Sequence, residues 1–308
     1  MGIMPKIKII VICGPTAAGK SALATEFAGI FNAEIISADS MQVYRHMDIG
    51  TAKPSKAEQG GAAHHLIDAV NPDEEYNAAR FRKDAALLVK EITGRGKNVI
   101  VSGGTGLYIK ALTDGIFEGP QADEALRRGF MEYAEANGRE ALYARLKEAD
   151  PVGAPSIHPN NLRRVVRALE VCSLARRPMS ELHKEHNFSE RPYDTLKIGL
   201  CKERQALYAD IEKRVDGMMA AGLMEETKAL IAMGYSSGLK PMCGLGYKEM
   251  AGFLNKEYSL PEAVRLLKRN TRHYAKRQMT WLRKDTEIRW FNPTRKKDII
   301  DQIEVFLN

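Results

Sequence analysis

Gly14-Pro15-Thr16-Ala17-Ala18-Gly19-Lys20-Ser21 follows an apolar run, Ile7 to Cys13, and leads into a helical pattern from Ala22 to Ile30. The stretch reads G-x-x-x-x-G-K-S, a phosphate-binding loop set between a strand and a helix, as its mechanism requires. Its glycines let successive backbone N–H groups turn inward around an anion, and the positive end of the following helix helps to hold it. Lys20 adds a point charge, and the Ser21 hydroxyl can ligate Mg²⁺. An ordinary strand–turn–helix corner is the plainer reading, but the strand and helix context favours the phosphate site. The loop says that a phosphate binds; it does not say what becomes of it.

Outward from the loop, the first third of the chain alternates strand and helix patterns. Strands are expected at Ile7–Cys13, Glu34–Ser37 and Asn98–Val101, with helices at Ser21–Phe31 and Asn77–Thr93 and a short apolar piece at Leu66–Val70. Strands separated by helical patterns imply a mostly parallel sheet covered on both faces, and ligands bind such sheets at the carboxyl ends of the strands. Three of those ends carry informative residues: the phosphate loop, Asp39-Ser40, and Gly103-Gly104-Thr105. Their convergence weighs more than any one motif.

A turn-rich stretch, Asp114–Gln121, interrupts this rhythm. Helical patterns without strand signals follow at Asp123–Asn137, Gly138–Ala149 and Asn160–Leu174, and a strand resumes at Thr195–Leu200. The expected organisation is therefore an α/β core, 1–118 with 192–308, carrying a helical insertion domain at 119–191. From Lys202 the pattern is helical almost to the end, with helices at Arg204–Ala220, Met224–Met233, Tyr247–Leu254 and Leu260–Arg283. A strand at Glu287–Phe291 and a helix at Lys296–Phe306 complete it.

The bulk composition suits a folded protein: 308 residues, 44% hydrophobic and 28% charged. The first apolar run is too short to span a bilayer and lacks a small-residue cleavage site, so it reads as a buried strand and the protein as cytoplasmic. Cys13, Cys172, Cys201 and Cys243 are scattered, which suggests neither a zinc site nor a disulfide framework. The net charge of +7 favours a polyanionic partner over a small metabolite.

Asp39 stands at the end of the strand after the phosphate loop. Its carboxylate could ligate Mg²⁺ through water, take a proton from a nucleophile, or simply cap the turn. A phosphate-loop nucleotide hydrolase usually carries an Asp at the end of a hydrophobic strand to hold Mg²⁺, and Asn98-Val99-Ile100-Val101-Ser102 has none. Gly103-Gly104-Thr105-Gly106-Leu107-Tyr108 offers a flexible backbone and a hydroxyl that could hold the far phosphate or orient a nucleophile. His64 and His65, adjacent on an extended segment, face opposite ways and so do not suggest a shared metal. Arg265, Lys268, Arg269, Arg272 and Lys276 share one face of the long C-terminal helix, and Arg163, Arg164, Arg167, Arg176 and Arg177 form a second basic cluster. Together they favour a nucleic-acid contact over a solvated helix.

These segments, taken in order, resemble the tRNA dimethylallyltransferases. The resemblance is carried by Gly14–Ser21, Ser37-Ala38-Asp39-Ser40-Met41-Gln42-Val43-Tyr44, Met47-Asp48-Ile49-Gly50-Thr51-Ala52-Lys53-Pro54 and Gly103–Tyr108. His158-Pro159-Asn160, Arg167-Ala168-Leu169-Glu170, Gly246-Tyr247-Lys248-Glu249-Met250 and Ala275–Arg283 extend it across most of the chain. It is closest to the bacterial form, which lacks the zinc finger of some eukaryotic members.

The resemblance implies transfer of a dimethylallyl group from dimethylallyl diphosphate to N6 of the adenosine immediately 3′ of the anticodon in tRNA, with diphosphate as leaving group. It implies a P-loop NTPase-like core and Mg²⁺ held at Ser21, with Asp39 through water. Asp39 matches the family's base, Lys20 and residues 14–21 the diphosphate cradle, and Thr16 and Thr105 positions near the diphosphate and the reacting centre. Against the flipped adenine and its neighbours it sets Asp39, Ser40, Met41 and Gln42, and Gly244, Gly246, Tyr247 and Lys248. Arg163, Arg164 and Arg167 are expected on the anticodon stem, with Arg128 as a further candidate. A monomer with no membrane partner is expected. Two other readings compete: a small-molecule kinase using the loop for ATP, and an RNA-binding protein whose loop senses a nucleotide. The first leaves the basic faces without a role, the second Asp39 and Thr105.

Overall fold

The computed structural model describes residues 6–117, 119–186 and 190–308. The start of the N-terminal stretch, Glu118 in the expected turn, and 187–189 near the end of the expected insertion lie outside the described residues. The elements follow the order β1 (Lys8–Cys13), α1 (Lys20–Ile30), β2 (Ala33–Ser37), β3 (His64–His65), α2 (Ala78–Gly94), β4 (Asn98–Gly103) and α3 (Gly106–Thr113). Next come α4 (Glu124–Asn137), α5 (Arg139–Ala149), α6 (Leu162–Ala175), α7 (Met179–His186) and β5 (Asp194–Leu200). The chain continues with α8 (Arg204–Ala220), α9 (Leu223–Ala232), α10 (Tyr247–Leu254), α11 (Leu260–Leu282), β6 (Arg289–Phe291) and α12 (Lys296–Leu307).

The strands form one six-stranded sheet in the order β3-β2-β4-β1-β5-β6, and every pairing in it is parallel. β1 lies between β4 and β5, with Ile10 opposite Ile100 and Leu196. From Ile9 to Cys13 it is fully buried. Such a strand needs apolar side chains on both faces, which is why it reads as a continuous rather than an alternating run. One face packs Ile10, Ile12, Ile35, Ile100 and Ile198 against Leu23, Ala24 and Phe27 of α1 and Ile299 and Ile303 of α12. α2 packs against β2 and β4 and buries Phe81, Ala85, Val89 and Ile92. Asn77 caps α2 by accepting from the N–H groups of Ala79 and Arg80.

Two details of the sheet edges have local causes. The apolar piece Leu66–Val70 is not a strand, and the edge strand is His64–His65 instead. Leu66 (φ 59°) and Asp68 (φ 53°) have left-handed backbone, which breaks an extended run, and only Val70 bridges, to Tyr44. The last strand begins at Arg289 rather than Glu287, because the Glu287 N–H is drawn into a turn by Asp285 Oδ1 at 3.0 Å. The two histidines do diverge. His64 Nδ1 meets the Ala62 carbonyl at 3.0 Å, and His65 Nε2 meets Glu34 Oε2 at 2.7 Å. Burial works against the Glu34 carboxylate, but Lys97, His65 and Arg95 outweigh it and hold the group down at about 2.

The chain divides into two compact units, Met1–Thr113 with Arg191–Asn308, and Asp114–Glu190. The second contains α4 to α7 and has its own core of Leu142, Leu146, Val165, Val166 and Leu169. Glu170 of α6 is fully buried there and is paired with Arg127 and Arg167.

Candidate active site

The carboxyl ends of β1, β2 and β4 do meet. Ala38 N–H donates to the Ser102 carbonyl at 2.8 Å, and Thr105 N–H donates to the Ala38 carbonyl at 3.1 Å. This approach leaves no room for a side chain: a Cβ on Gly103 would run into the Ala38 carbonyl. Gly14 is constrained in the same way, with φ 148° and a Cβ that would sit 2.6 Å from the Leu200 carbonyl oxygen. Gly14 of the phosphate loop thus serves the sheet too.

Beside these ends lies a cavity of ≈ 530 Å³ lined by Thr16, Lys20, Ser21, Asp39–Gln42, Gly50–Ala52, Ser102 and Gly103. Arg214, Cys243–Leu245, Lys248, Tyr274, Arg277 and Gln278 also face it. Lys20, at the start of α1, donates to the Pro15 carbonyl at 2.7 Å. Burial pushes its ammonium down to about 8; the Asp39 carboxylate opposes this and Arg214 reinforces it. A cation so disfavoured by burial is one that a bound polyanion would restore.

Asp39 does cap its turn. Its Oδ1 accepts from the N–H groups of Met41 (2.9 Å) and Gln42 (3.4 Å). Its Oδ2 has no hydrogen-bond partner among the described residues, so one oxygen builds the turn and the other is free for the cavity. Ser21 is exposed and lines the same space. No cluster of three or more His, Cys, Asp or Glu suited to a metal occurs among the described residues. The donor set on offer is one hydroxyl and one carboxylate, all oxygen. That fits Mg²⁺, which keeps several waters and takes remaining ligands from substrate phosphate.

The structure places several expected residues away from the cavity walls. Thr105 is not among the cavity walls. Its hydroxyl accepts from Ser40 N–H at 3.0 Å and donates to Ser40 Oγ at 3.3 Å, so it steadies the Asp39–Ser40 turn. Of the phosphate loop, Thr16, Lys20 and Ser21 line the cavity, whereas Gly14, Pro15, Ala17, Ala18 and Gly19 shape its backbone. Gly246 and Tyr247 stand behind the wall formed by Gly244 and Lys248. The basic face of α11 is partly neutralised: Lys268 pairs with Asp216, Arg272 with Glu212 and Arg265 with Glu262. In the second unit Arg128, Arg163 and Arg164 are exposed. Arg167 is held by Glu170 Oε2 (2.6 Å) and the Pro120 carbonyl (3.2 Å).

Two further residues stand at the centre: Arg214, which no motif marks, and Gln278, which lies within the segment Ala275–Arg283. Arg214 of α8 donates from Nη1 to Thr16 Oγ1 at 2.8 Å, half-buried at the phosphate loop. Gln278 of α11 accepts from Thr16 N–H at 2.8 Å and donates to the Gly104 carbonyl at 3.0 Å. A single buried amide thus ties the ends of β1 and β4 to α11.

Fold and site define a P-loop α/β group-transfer enzyme whose β4 ends in Ser102-Gly103, where nucleotide hydrolases place an aspartate that holds Mg²⁺. The model of the IPP transferase family matches residues 42–285. The tRNA dimethylallyltransferase 2 of Syntrophus aciditrophicus is 51% identical over 306 residues, spanning 99% of this chain and 98% of that protein. The crystal structure of the full-length tRNA isopentenylpyrophosphate transferase from Bacillus halodurans is 40% identical, with a TM-score of 0.73 and coverage of 98% of this chain and 97% of that one. A eukaryotic dimethylallyltransferase, captured in crystallographic snapshots acting on tRNA, has a TM-score of 0.77 at 33% identity, covering 90% of this chain and 70% of that one. The chain belongs to the IPP transferase family. These relatives give the kinase reading no support. Among the described residues, no helix is long and apolar enough to cross a membrane.

Proposed function

We propose that this protein transfers a dimethylallyl group from dimethylallyl diphosphate to N6 of the adenosine immediately 3′ of the anticodon in tRNA, releasing diphosphate. The observation that carries this reading is that the phosphate loop and the free oxygen of Asp39 serve one cavity. The leaving group lies in residues 14–21, with Lys20, Arg214 and the N–H groups of the loop drawn to its charge. Bound Mg²⁺, held by Ser21 and through water by Asp39, would supply further charge for the diphosphate. As the allylic C–O bond breaks, its electron pair stays on diphosphate. The N6 lone pair forms the new C–N bond, and the N6 proton passes to Asp39.

The adenine reaches this depth only by leaving its stack. Asp39–Gln42, Gly244 and Lys248 form its side of the cavity, backed by Gly246 and Tyr247, and Thr105 acts through Ser40. Arg163, Arg164 and Arg128 meet the anticodon stem of the RNA. The protein works as a cytoplasmic monomer. The test is to incubate it with dimethylallyl diphosphate, Mg²⁺ and unmodified tRNA and to seek the prenylated adenosine by mass spectrometry. ATP-dependent phosphorylation of a metabolite without that product would sink the reading.

Replacing Arg163 and Arg164 together with alanine is expected to weaken tRNA binding and to flatten its salt dependence, by roughly 0.7–0.9 in log–log slope for each phosphate left unneutralised. Adding Arg167→Ala removes a partner of the buried Glu170 as well, so its effect on the melting temperature must be read separately. An unchanged slope in the double variant would move the RNA contact elsewhere.

A further inference from the structure

Glu226 lies half-buried in α9, and no motif marks it. Its carboxylate gathers four hydrogen bonds. Oε2 accepts from the N–H groups of Asp48 at 2.9 Å and Ile49 at 2.8 Å, and Oε1 accepts from Gly50 N–H at 3.0 Å and the Tyr247 hydroxyl at 2.7 Å. Three successive backbone N–H groups converging on one anion form the nest that proteins otherwise offer to free anions; here the chain provides the anion itself. The contact also closes sterically, since a Cβ on Gly50 would lie 2.5 Å from Tyr247 Cζ. Burial first, then the Glu226 carboxylate, pushes the Tyr247 hydroxyl up, so it remains a donor.

The loop held in this way reaches the reaction cavity. The carbonyls of Thr51 and Ala52 accept from Gln42 Nε2 at 3.4 and 3.2 Å, while Ser37 Oγ donates to Gln42 Oε1 at 3.2 Å. That network decides which end of the Gln42 amide points where. Gln42, Gly50, Thr51 and Ala52 line one part of the cavity, and Gly244 and Lys248, on either side of Tyr247, line another. The Glu226 carboxylate is bonded to both segments at once.

We propose that Glu226 is a positioning residue for the acceptor nucleotide: it holds loop 48–52 and the 244–248 turn at one spacing, so that Gln42 meets the adenine in a single orientation. It touches neither substrate. The inference rests on the acceptor side assigned above to residues 39–42 and 244–248.

Glu226→Gln keeps the shape but leaves one carbonyl oxygen for four donors and turns an amide N–H toward backbone N–H groups. The expected result is a fall in kcat/KM for tRNA on the order of 100-fold, the size of a misplacement of about 1 Å. KM for dimethylallyl diphosphate is expected to change by less than about twofold, because the donor side is untouched. Glu226→Asp, which keeps the charge, should recover part of the loss. Tyr247→Phe removes one of the four bonds and should give a smaller loss on the tRNA side alone, even if Glu226→Gln fails to fold. Equal losses on both substrates, or none in either variant, would overturn the proposal. A wild-type protein inactive on tRNA would overturn the functional reading and this inference together, whereas an active wild type with variants unselective between substrates sinks this inference alone.

Discussion

Replacing Asp39 with alanine is expected to cut turnover roughly 10²–10⁴-fold, with a much smaller loss of tRNA affinity. An exocyclic aromatic amine is a poor nucleophile, since its lone pair is drawn into the ring. A carboxylate that accepts the proton as the C–N bond forms lowers the barrier only in the transition state, so the loss belongs in kcat. Alanine is nevertheless an impure test. Oδ1 holds the N–H groups of Met41 and Gln42, so its removal also loosens the turn that presents them. Asparagine separates the two roles, because its carbonyl oxygen can keep both turn bonds while its amide cannot take a proton. Asp39→Asn should therefore fall nearly as far as Asp39→Ala in single-turnover rate, yet bind tRNA as the wild type does. An asparagine variant with wild-type turnover would leave Asp39 as a turn former only.

Much of this fold can be read from the chain because it depends on local repetition. Ile9 to Cys13 is apolar at every position because both faces are covered, while Asn77 and Ser259 cap α2 and α11 with their own side chains. The edge strand is as short as it is because left-handed backbone at Leu66 and Asp68 ends it before the apolar run, which no local pattern announces. The site divides in the same way. Gly14–Ser21 and Asp39 do their chemistry from contiguous segments and are visible in the sequence. Gln278 acts on Thr16 across 262 positions and Arg214 on the same residue across 198, so nothing near them in sequence points to the phosphate loop. Arg214 sits in a helix of mixed charge, and Gln278 in one whose basic residues draw the eye away from its single buried amide. The basic stripe of α11 hides its partners for the converse reason: Glu212 and Asp216, which pair with Arg272 and Lys268, belong to α8. Thr105 shows a subtler limit. Its position beside the strand ends is legible, but the orientation of its hydroxyl, toward Ser40, comes from the packing of two strand ends against each other.

Lys20→Ala is expected to lower kcat/KM for dimethylallyl diphosphate by roughly 10²–10³-fold, the usual effect of removing one preorganised donor from a developing anion. Its pH dependence is more diagnostic than its size. In the free protein burial leaves Lys20 near 8, and a bound diphosphate, by its negative charge, must raise that value. Affinity for the diphosphate is therefore fully present below about pH 8, where the free ammonium is already protonated. It declines as pH rises through 8, because each binding event then has to take up a proton, at up to tenfold per pH unit for a single group. The diphosphate's own titration lies well below this window, near pH 6, as for a phosphate monoester. Binding of dimethylallyl diphosphate measured calorimetrically between pH 7 and about 9.5 should show this decline and a matching proton uptake in buffers of different ionisation enthalpy. In Lys20→Ala both should vanish, leaving weak, flat binding. If the decline persists in the variant, the proton belongs to another group, and Lys20 does not meet the diphosphate as a cation.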